Sequence, residues 1–182
     1  MTGLDHRLQQ WVVGHRAGPL TPLLEAATWL GTWGAVWLAA GLAVALLRSR
    51  WCVLLSAALA VALGEIVSDV LKLLFARQRP VADPAGHAAL VGLPHSHSFP
   101  SGHATIAFAG ATVLTLALPR SAALFFVLAT AIAFSRVYLG VHYPADVVAG
   151  ALLGCPLGLA AWRSAPLLAR PFARTRHRSQ TT

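Results

Sequence analysis

Five long apolar segments, joined by short polar breaks, dominate this sequence. They lie at residues 20–47, 51–75, 101–118, 122–138 and 144–162. Each approaches or exceeds the roughly 20 residues that the hydrocarbon core of a bilayer requires of a helix. Only 11% of the residues are charged, whereas soluble domains carry about a quarter. The sequence therefore predicts an all-α, polytopic membrane helix bundle with about five transmembrane helices, and it excludes nearly every water-soluble fold.

The remaining residues fall into three segments. Residues 1–18 place apolar side chains at helical spacing but are too short and too polar to span, so we predict an N-terminal interfacial helix. Residues 76–100 form a polar loop rich in proline and histidine. Residues 164–182 form a basic tail that is expected to be disordered. We therefore expect a single membrane domain over residues 1–163.

The distribution of positive charge along the sequence predicts the orientation of the chain in the membrane. The chain has 14 Lys+Arg against 6 Asp+Glu, a net charge of +8. The breaks after the first and third segments and the tail hold eight of these cations, and the opposite side holds six. Four of those six are Lys72, Arg77, Arg79 and Arg136, which belong to or adjoin a cluster with chemistry of its own. When these four are set aside, most of the remaining positive charge lies on the side of the tail. We therefore expect the tail in the cytoplasm and the loop and N-terminus outside. Nucleic acid is not an expected partner.

The second apolar segment carries ionisable residues at membrane depth. Glu65, Asp69 and Lys72 are spaced to lie along one helical face, where such groups normally face a bundle interior or a wet cavity. Alternatively, Asp69 simply neutralises Lys72. The sequence assigns no role to either acidic residue.

Lys72 and Arg79 are seven residues apart, so their cationic groups point the same way if the helix persists past Phe75. Pro80 then stops that helix. Two converging cations suit an oxyanion, and the planar fork of arginine suits phosphate in particular. A basic patch at the membrane edge is the simpler alternative.

Two further blocks of the sequence also carry groups that can bind a phosphate or react with it. Ser101 is a suitable N-cap for the third segment, and the amides of Ser101, Gly102 and His103 are placed to bind phosphate oxygens at a helix N-terminus. Pro144 suits the first turn of the last helix, which brings Asp146 to His142. A carboxylate that fixes the imidazole tautomer leaves the other ring nitrogen free to attack.

All three blocks fall on one side of the membrane in the predicted topology, where Arg136 adds a third cation. Three cations, an amide cradle and two histidines would hold a phosphoryl group while one histidine attacks and the other protonates the leaving oxygen.

The blocks resemble the three-part signature of the type 2 phosphatidic acid phosphatases, the PAP2 superfamily. The matching residues are Lys72 with Arg79-Pro80, Pro100-Ser101-Gly102-His103, and Ser135-Arg136 with His142 and Asp146. The resemblance implies a metal-independent integral-membrane phosphatase without a cofactor, with a phosphohistidine intermediate and an extracytoplasmic site. It implies that His142 is the nucleophile, Asp146 its orienting partner and His103 the general acid. It assigns Lys72, Arg79, Ser101, Gly102 and Arg136 to the phosphate.

Several alternatives remain open at this point. The substrate is expected to be a lipid phosphate: a polyprenyl phosphate or diphosphate, a polyprenyl sugar phosphate, phosphatidylglycerophosphate or phosphatidic acid. A lipid-phosphate binder or transporter would explain the cations but not the pairing of His142 with Asp146. Vanadate-dependent haloperoxidases share the anion site but are large and soluble. His87, His95 and His97 are expected to be solvated loop residues, and the alternative is a zinc site.

Overall fold

The computed structural model describes residues 3–80, 88–92 and 95–178, with side chains as far as residue 168. Within those ranges all regular structure is helical. The helices are α1 (Gly3–Gly14), α2 (Thr21–Gly31), α3 (Ala35–Arg48), α4 (Trp51–Phe75), α5 (Gly102–Ala117), α6 (Ala122–Tyr138) and α7 (Pro144–Arg178). The predicted all-α membrane helix bundle is confirmed, with α1 as the predicted N-terminal helix.

Four segments of the described chain are long and apolar enough to cross a bilayer, and they contain α2 with α3, α4, α6 and α7. Their outer surfaces are apolar, as the exposed side chains of Leu73, Leu124 and Leu152 illustrate. Helix α5 has 16 residues and lies inside the bundle, where Ile106 and Leu114 are buried against Trp37 and Ile132. The other helices therefore surround α5, which positions its N-terminus within the protein.

The first apolar segment is interrupted between α2 and α3. The break is a short 3-10 turn, Thr32–Gly34, in which Trp33 and Gly34 adopt left-handed conformations with φ of 55° and 67°. A Cβ atom at Gly34 would lie 2.5 Å from a methyl carbon of Val61 on α4, so only glycine allows this approach. Non-helical backbone at membrane depth is tolerated where it borders a cavity. Thr32 and Trp33 border one.

Helix α4 ends at Phe75, as the bounds of the second apolar segment predict, so the condition that would align Lys72 with Arg79 on one helix is not met. Ala76 turns into a left-handed conformation while its N–H donates to the carbonyl of Lys72 at 3.0 Å. One expectation, the disordered tail, is corrected. Helix α7 continues to Arg178, through much of the tail expected to be disordered. The tail is rich in Ala, Leu and Arg, which are strong helix formers, so the last span propagates beyond its apolar part.

Helix α7 packs against α5 through a stripe of three glycines. A Cβ atom at Gly150, Gly154 or Gly158 would lie 2.6, 2.3 or 2.4 Å from the carbonyl oxygens of Ser101, Thr105 and Ala109, respectively. Small residues four apart allow two membrane helices to bring their backbones together. This contact fixes the start of α7 beside the start of α5.

Gly154→Ala is expected to destabilise the bundle, because the new methyl group meets backbone atoms that cannot rotate away. Overpacking of this kind costs about 1–3 kcal/mol. The melting temperature of the detergent-purified protein measures the effect. Gly14→Ala is the matched control, since a Cβ atom at helical Gly14 has no atom within 4 Å. Equal melting temperatures for the two variants would contradict the close α5–α7 packing.

Candidate active site

A polar cavity of about 300 Å³ lies where α4 and α6 end and α5 begins. Its lining includes residues from all three blocks singled out in the sequence, together with residues from the α2–α3 break and the 95–99 loop. The lining residues are Thr32, Trp33, Glu65, Asp69, Lys72, Arg79, Ser96, Gly102, His103, Arg136 and His142. Segments separated by up to 110 residues therefore meet at one place.

His142 and Asp146 are paired as the sequence predicts. Helix α7 begins at Pro144, and Asp146 in its first turn places Oδ2 3.4 Å from Nδ1 of His142. The backbone N–H of Tyr143 donates to the same oxygen at 2.9 Å, and the hydroxyl of Ser98 also donates to it. The carboxylate is fully buried. Since a carboxylate accepts hydrogen bonds, Nδ1 carries the proton and Nε2 has the lone pair.

The imidazole of His142 is held neutral by its surroundings. Burial lowers the pKa of His142 to about 4; the hydrogen bond to Asp146 opposes that shift, and the nearby cations Arg79 and Arg136 add to it. Above that pH the ring is unprotonated at Nε2, which lies 3.2 Å from Nη1 of Arg79. At neutral pH the ring therefore has a nucleophilic nitrogen beside a cation.

Arg79 reaches the cavity from the loop rather than from α4. Its Nε and Nη2 donate to the carbonyl and hydroxyl oxygens of Ser96 at 2.8 and 3.1 Å, and Nη1 donates to the carbonyl of Val141 at 2.8 Å. Nη2 also donates to the carbonyl of His97 at 3.2 Å. Burial lowers the pKa of Arg79, and the negative charge of Asp146 opposes that shift. These bonds orient the guanidinium before any ligand arrives.

The contacts of Lys72 agree with both interpretations of the sequence, neutralisation by Asp69 and a place in the anion site. Its Nζ forms an ion pair with Oδ1 of Asp69 at 2.8 Å, as the neutralisation alternative anticipates. The same ammonium lines the cavity, and a Cβ atom at Gly102 would lie 3.4 Å from it. Glu65 also borders the cavity. The amide end of α5 and the ammonium group therefore face the same space.

The start of α5 differs in one respect from the expected amide cradle. Helix α5 begins at Gly102 with Ser101 in the N-cap position, but the N–H of Ser101 donates to the carbonyl of Asp146 at 3.0 Å. That amide is occupied because the glycine stripe brings α7 against it. The Ser101 hydroxyl makes no capping bond; it is buried and has no hydrogen-bond partner in the described part of the chain. A hydroxyl and the Gly102 and His103 amides therefore remain for a ligand.

Arg136 is nearly fully buried at the end of α6. Its Nη1 donates to the hydroxyl oxygen of Thr28 on α2 at 2.7 Å, and Ser135 donates to the same oxygen at 3.0 Å. Its Nε has no partner among the residues that the structure describes. One side of the guanidinium is therefore anchored while it borders the cavity.

Several residues that support the site were not identified from the sequence. Asp5, Thr28 and Ser98 contact the cluster from distant segments, and no local pattern marks them. Arg77 was noted only as a neighbour of the cationic cluster, yet it forms ion pairs with both Asp5 and Asp146. Its proximity to Arg79 is the only signal that the sequence offers.

The loop histidines are only partly described. His87 lies outside the described residues, His95 is exposed and His97 is half-buried. In the described ranges, no three His, Cys, Asp or Glu side chains are grouped to hold a metal ion.

Comparison with known proteins gives a consistent result. The family model described as the PAP2 superfamily matches residues 53–177. Undecaprenyl-diphosphatase of Sulfolobus acidocaldarius is 39% identical over 101 residues, which are 55% of this chain and 47% of that protein. Decaprenylphosphoryl-5-phosphoribose phosphatase of Mycolicibacterium smegmatis is 36% identical over 147 residues, covering 78% of this chain and 76% of that protein.

A solved structure extends the similarity to the fold. The crystal structure of LpxE from Aquifex aeolicus superimposes with a TM-score of 0.76 and 29% sequence identity, covering 89% of this chain and 96% of that one. By contrast, the chain spans about half the length of the Sulfolobus protein that it matches. The residues that the family model matches, 53–177, contain all three blocks that line the cavity.

Proposed function

The chain belongs to the PAP2 superfamily, and from that membership and the geometry of the cavity we propose that it is a membrane phosphatase acting on a lipid phosphate. The observation that carries the proposal is the convergence of His142, His103 and three cations on one cavity. The supporting hydrogen bond between His142 and Asp146 gives the nucleophile its tautomer.

In the first step, Nε2 of His142 attacks the terminal phosphorus and the bond from that phosphorus to the leaving oxygen breaks; this oxygen belongs to the lipid alcohol or sugar in a monophosphate and to the P–O–P bridge in a diphosphate. His103 donates a proton to that oxygen as it leaves. The imidazole becomes cationic as the nitrogen–phosphorus bond forms, and the buried carboxylate of Asp146 stabilises that charge. The products of this step are a phosphohistidine and the lipid with one phosphate fewer.

In the second step, His103 takes a proton from water and the resulting hydroxide attacks phosphorus. The nitrogen–phosphorus bond breaks, which returns His142 to its neutral state and releases inorganic phosphate. Lys72, Arg79 and Arg136 stabilise the phosphoryl oxygens in both steps, together with the Ser101 hydroxyl and the Gly102 amide. Because these groups neutralise the developing charge, the proposed chemistry needs neither a metal ion nor a cofactor.

For the lipid we propose a polyprenyl carrier, as a diphosphate or as a sugar phosphate. The support comes from the relatives named undecaprenyl-diphosphatase and decaprenylphosphoryl-5-phosphoribose phosphatase. Phosphatidic acid and phosphatidylglycerophosphate are the other candidates, since the cavity contacts described above recognise the phosphate and not the tail.

The proposal is tested by phosphate release from purified protein in detergent. The substrates are farnesyl diphosphate, phosphatidic acid and phosphatidylglycerophosphate, each assayed with and without EDTA. We expect release from at least one of them at the same rate in both conditions. Activity that disappears in EDTA would contradict the metal-independent mechanism. Binding of every lipid phosphate without release would favour a binder or transporter instead.

We propose that the cavity opens to the extracytoplasmic side of the cell membrane. The opposite end of the bundle carries Arg48, Arg50 and Arg120, and Arg50 donates to the carbonyl of Ala117 at 3.0 Å. These cations and the basic residues after 163 mark the cytoplasmic side by the positive-inside rule.

Cysteine labelling in intact cells checks this orientation. In a background of Cys52→Ser and Cys155→Ser, Ser96→Cys is expected to react with a membrane-impermeant maleimide. Ser121→Cys at the other end is expected to react only after the cells are lysed. The reverse pattern would place the cavity in the cytoplasm.

A further inference from the structure

Arg77 connects the first helix of the chain to the proposed catalytic pair. One of its terminal nitrogens, Nη1, donates to Oδ1 of Asp146, and the other, Nη2, donates to Oδ2 of Asp5 on α1. Its guanidinium also stacks over the ring of Tyr143, 4.2 Å from the centroid. The Arg77 side chain is 9% exposed, that of Asp5 10% and that of Asp146 0%. This is a buried arrangement, in which charge pairs are screened little by solvent.

Asp5 also stabilises the start of α7. Its second oxygen, Oδ1, accepts the backbone N–H of Ala145 at 2.9 Å, one of the helix N-terminal donors that has no partner inside the helix. Asp5 is separated from Ala145 by 140 residues. The same carboxylate therefore touches both Arg77 and the turn of helix that carries Asp146.

The net charge of Asp5, Arg77 and Asp146 together indicates what the second carboxylate contributes. If Arg77 paired with Asp146 alone, the pair would be neutral, and the cation that develops on His142 would have no uncompensated counter-charge. With Asp5 present, two carboxylates share one guanidinium and one negative charge remains. That charge faces Nδ1 of His142 through Oδ2 of Asp146.

We propose that Asp5 is a positioning residue of the reaction: by sharing Arg77, it leaves the negative charge of Asp146 available to the imidazolium of His142 and holds Asp146 in its orientation toward that ring. The inference rests on the proposed phosphatase function. It makes α1 part of the catalytic apparatus and not only a helix lying against the bundle. Packing of α1 has a separate source, because Gln9 and Val13 on the same face are also buried.

Asp5→Asn is the direct test, since asparagine has nearly the same shape and keeps an oxygen for the Ala145 amide but removes the charge. We expect kcat for farnesyl diphosphate, or for whichever lipid phosphate the wild type hydrolyses, to fall about tenfold while KM stays within twofold. Arg7→Gln is the matched control, because Arg7 lies on the same helix and is exposed. Asp5→Glu, which retains the charge, is expected to recover most of the rate.

A double-mutant cycle with Asp146→Asn separates this role from a structural one. If Asp5 acts through Asp146, then Asp5→Asn costs less than twofold once Asp146 is already Asn. An equal loss in both backgrounds, or a loss confined to KM, would overturn the inference. If Asp5→Asn fails to fold, as judged by size-exclusion chromatography, the smaller uncharged variant Asp5→Ser is used in the same cycle.

The cycle also distinguishes failure of the inference from failure of the proposed function. A wild-type protein that releases no phosphate from any lipid substrate overturns both. A wild-type protein that turns over, with losses from Asp5→Asn and Asp146→Asn that multiply, overturns only the role of Asp5.

Discussion

Phosphate release is expected to fall by about six orders of magnitude in His142→Ala, the scale seen when an enzyme loses its nucleophile. The variant lacks the nitrogen that we propose bonds to phosphorus, and no other described side chain in the cavity combines a neutral nitrogen with a buried carboxylate partner. Binding is expected to persist, because Lys72, Arg79 and Arg136 are unchanged.

The measurement is release of labelled phosphate over hours, with binding of the lipid substrate measured in parallel. His15→Ala is the control, since His15 is an exposed histidine at the end of α1. A His142→Ala variant that retains even one hundredth of the wild-type rate would show that another group attacks phosphorus.

His103→Asn is expected to lower kcat by a factor of about 10²–10⁴, the usual contribution of a general acid or base. The two steps respond differently to the leaving group. With p-nitrophenyl phosphate the leaving oxygen needs no proton, so phosphohistidine still forms. Its hydrolysis remains slow because water has no base, and the intermediate accumulates.

Trapping of a phosphoenzyme tests this prediction. After mixing with labelled p-nitrophenyl phosphate, His103→Asn protein is expected to retain label that survives alkali and is lost in acid. The double variant with His142→Ala is expected to retain none. If hydrolysis of farnesyl diphosphate and of p-nitrophenyl phosphate is slowed equally and no label is retained, His103 binds the phosphate and is not the general acid.

The sequence revealed the ionisable residues and the glycine that line the cavity, though not Thr32, Trp33 or Ser96, because most of them belong to a recognisable local pattern. Lys72 and Arg79 form a cationic pair, Ser101 and Gly102 mark a helix start, and His142 precedes Pro144 in a helix-opening turn. Five apolar segments then fixed which ends of the helices lie on one side. Patterns of this kind depend on neighbours in sequence, so they can be interpreted before the fold is known.

Lys72 and Arg79 nevertheless converge by a different route from the one that their spacing suggests. The spacing aligns both cations only if the helix persists past Phe75, whereas α4 ends there and Arg79 reaches the cavity from the loop. Nothing in the sequence indicates that Ala76 adopts a left-handed conformation with φ of 45°. Hydrogen bonds from Arg79 to Ser96 and Val141 fix its direction, and these depend on tertiary contacts.

The ion pairs of Arg77 with Asp5 and Asp146 could not be predicted from the sequence for a related reason. The contact between them spans 72 residues, and that between Asp5 and Ala145 spans 140. An acidic residue in a short amphipathic helix looks like a solvated group until the helix docks. Long-range pairing of charges therefore has to be observed in a structure.

The glycine stripe of α7 has a consequence for how product leaves. The backbones of α5 and α7 touch, and the Ser101 amide is bonded to the Asp146 carbonyl, so movement of the start of α7 relative to the start of α5 is restricted. We expect any opening of the cavity to come instead from the wall that contains Trp33, which is 77% exposed beside an interrupted helix. We expect the rate of phosphate release to depend on movement of that wall and hence on the fluidity of the surrounding lipid.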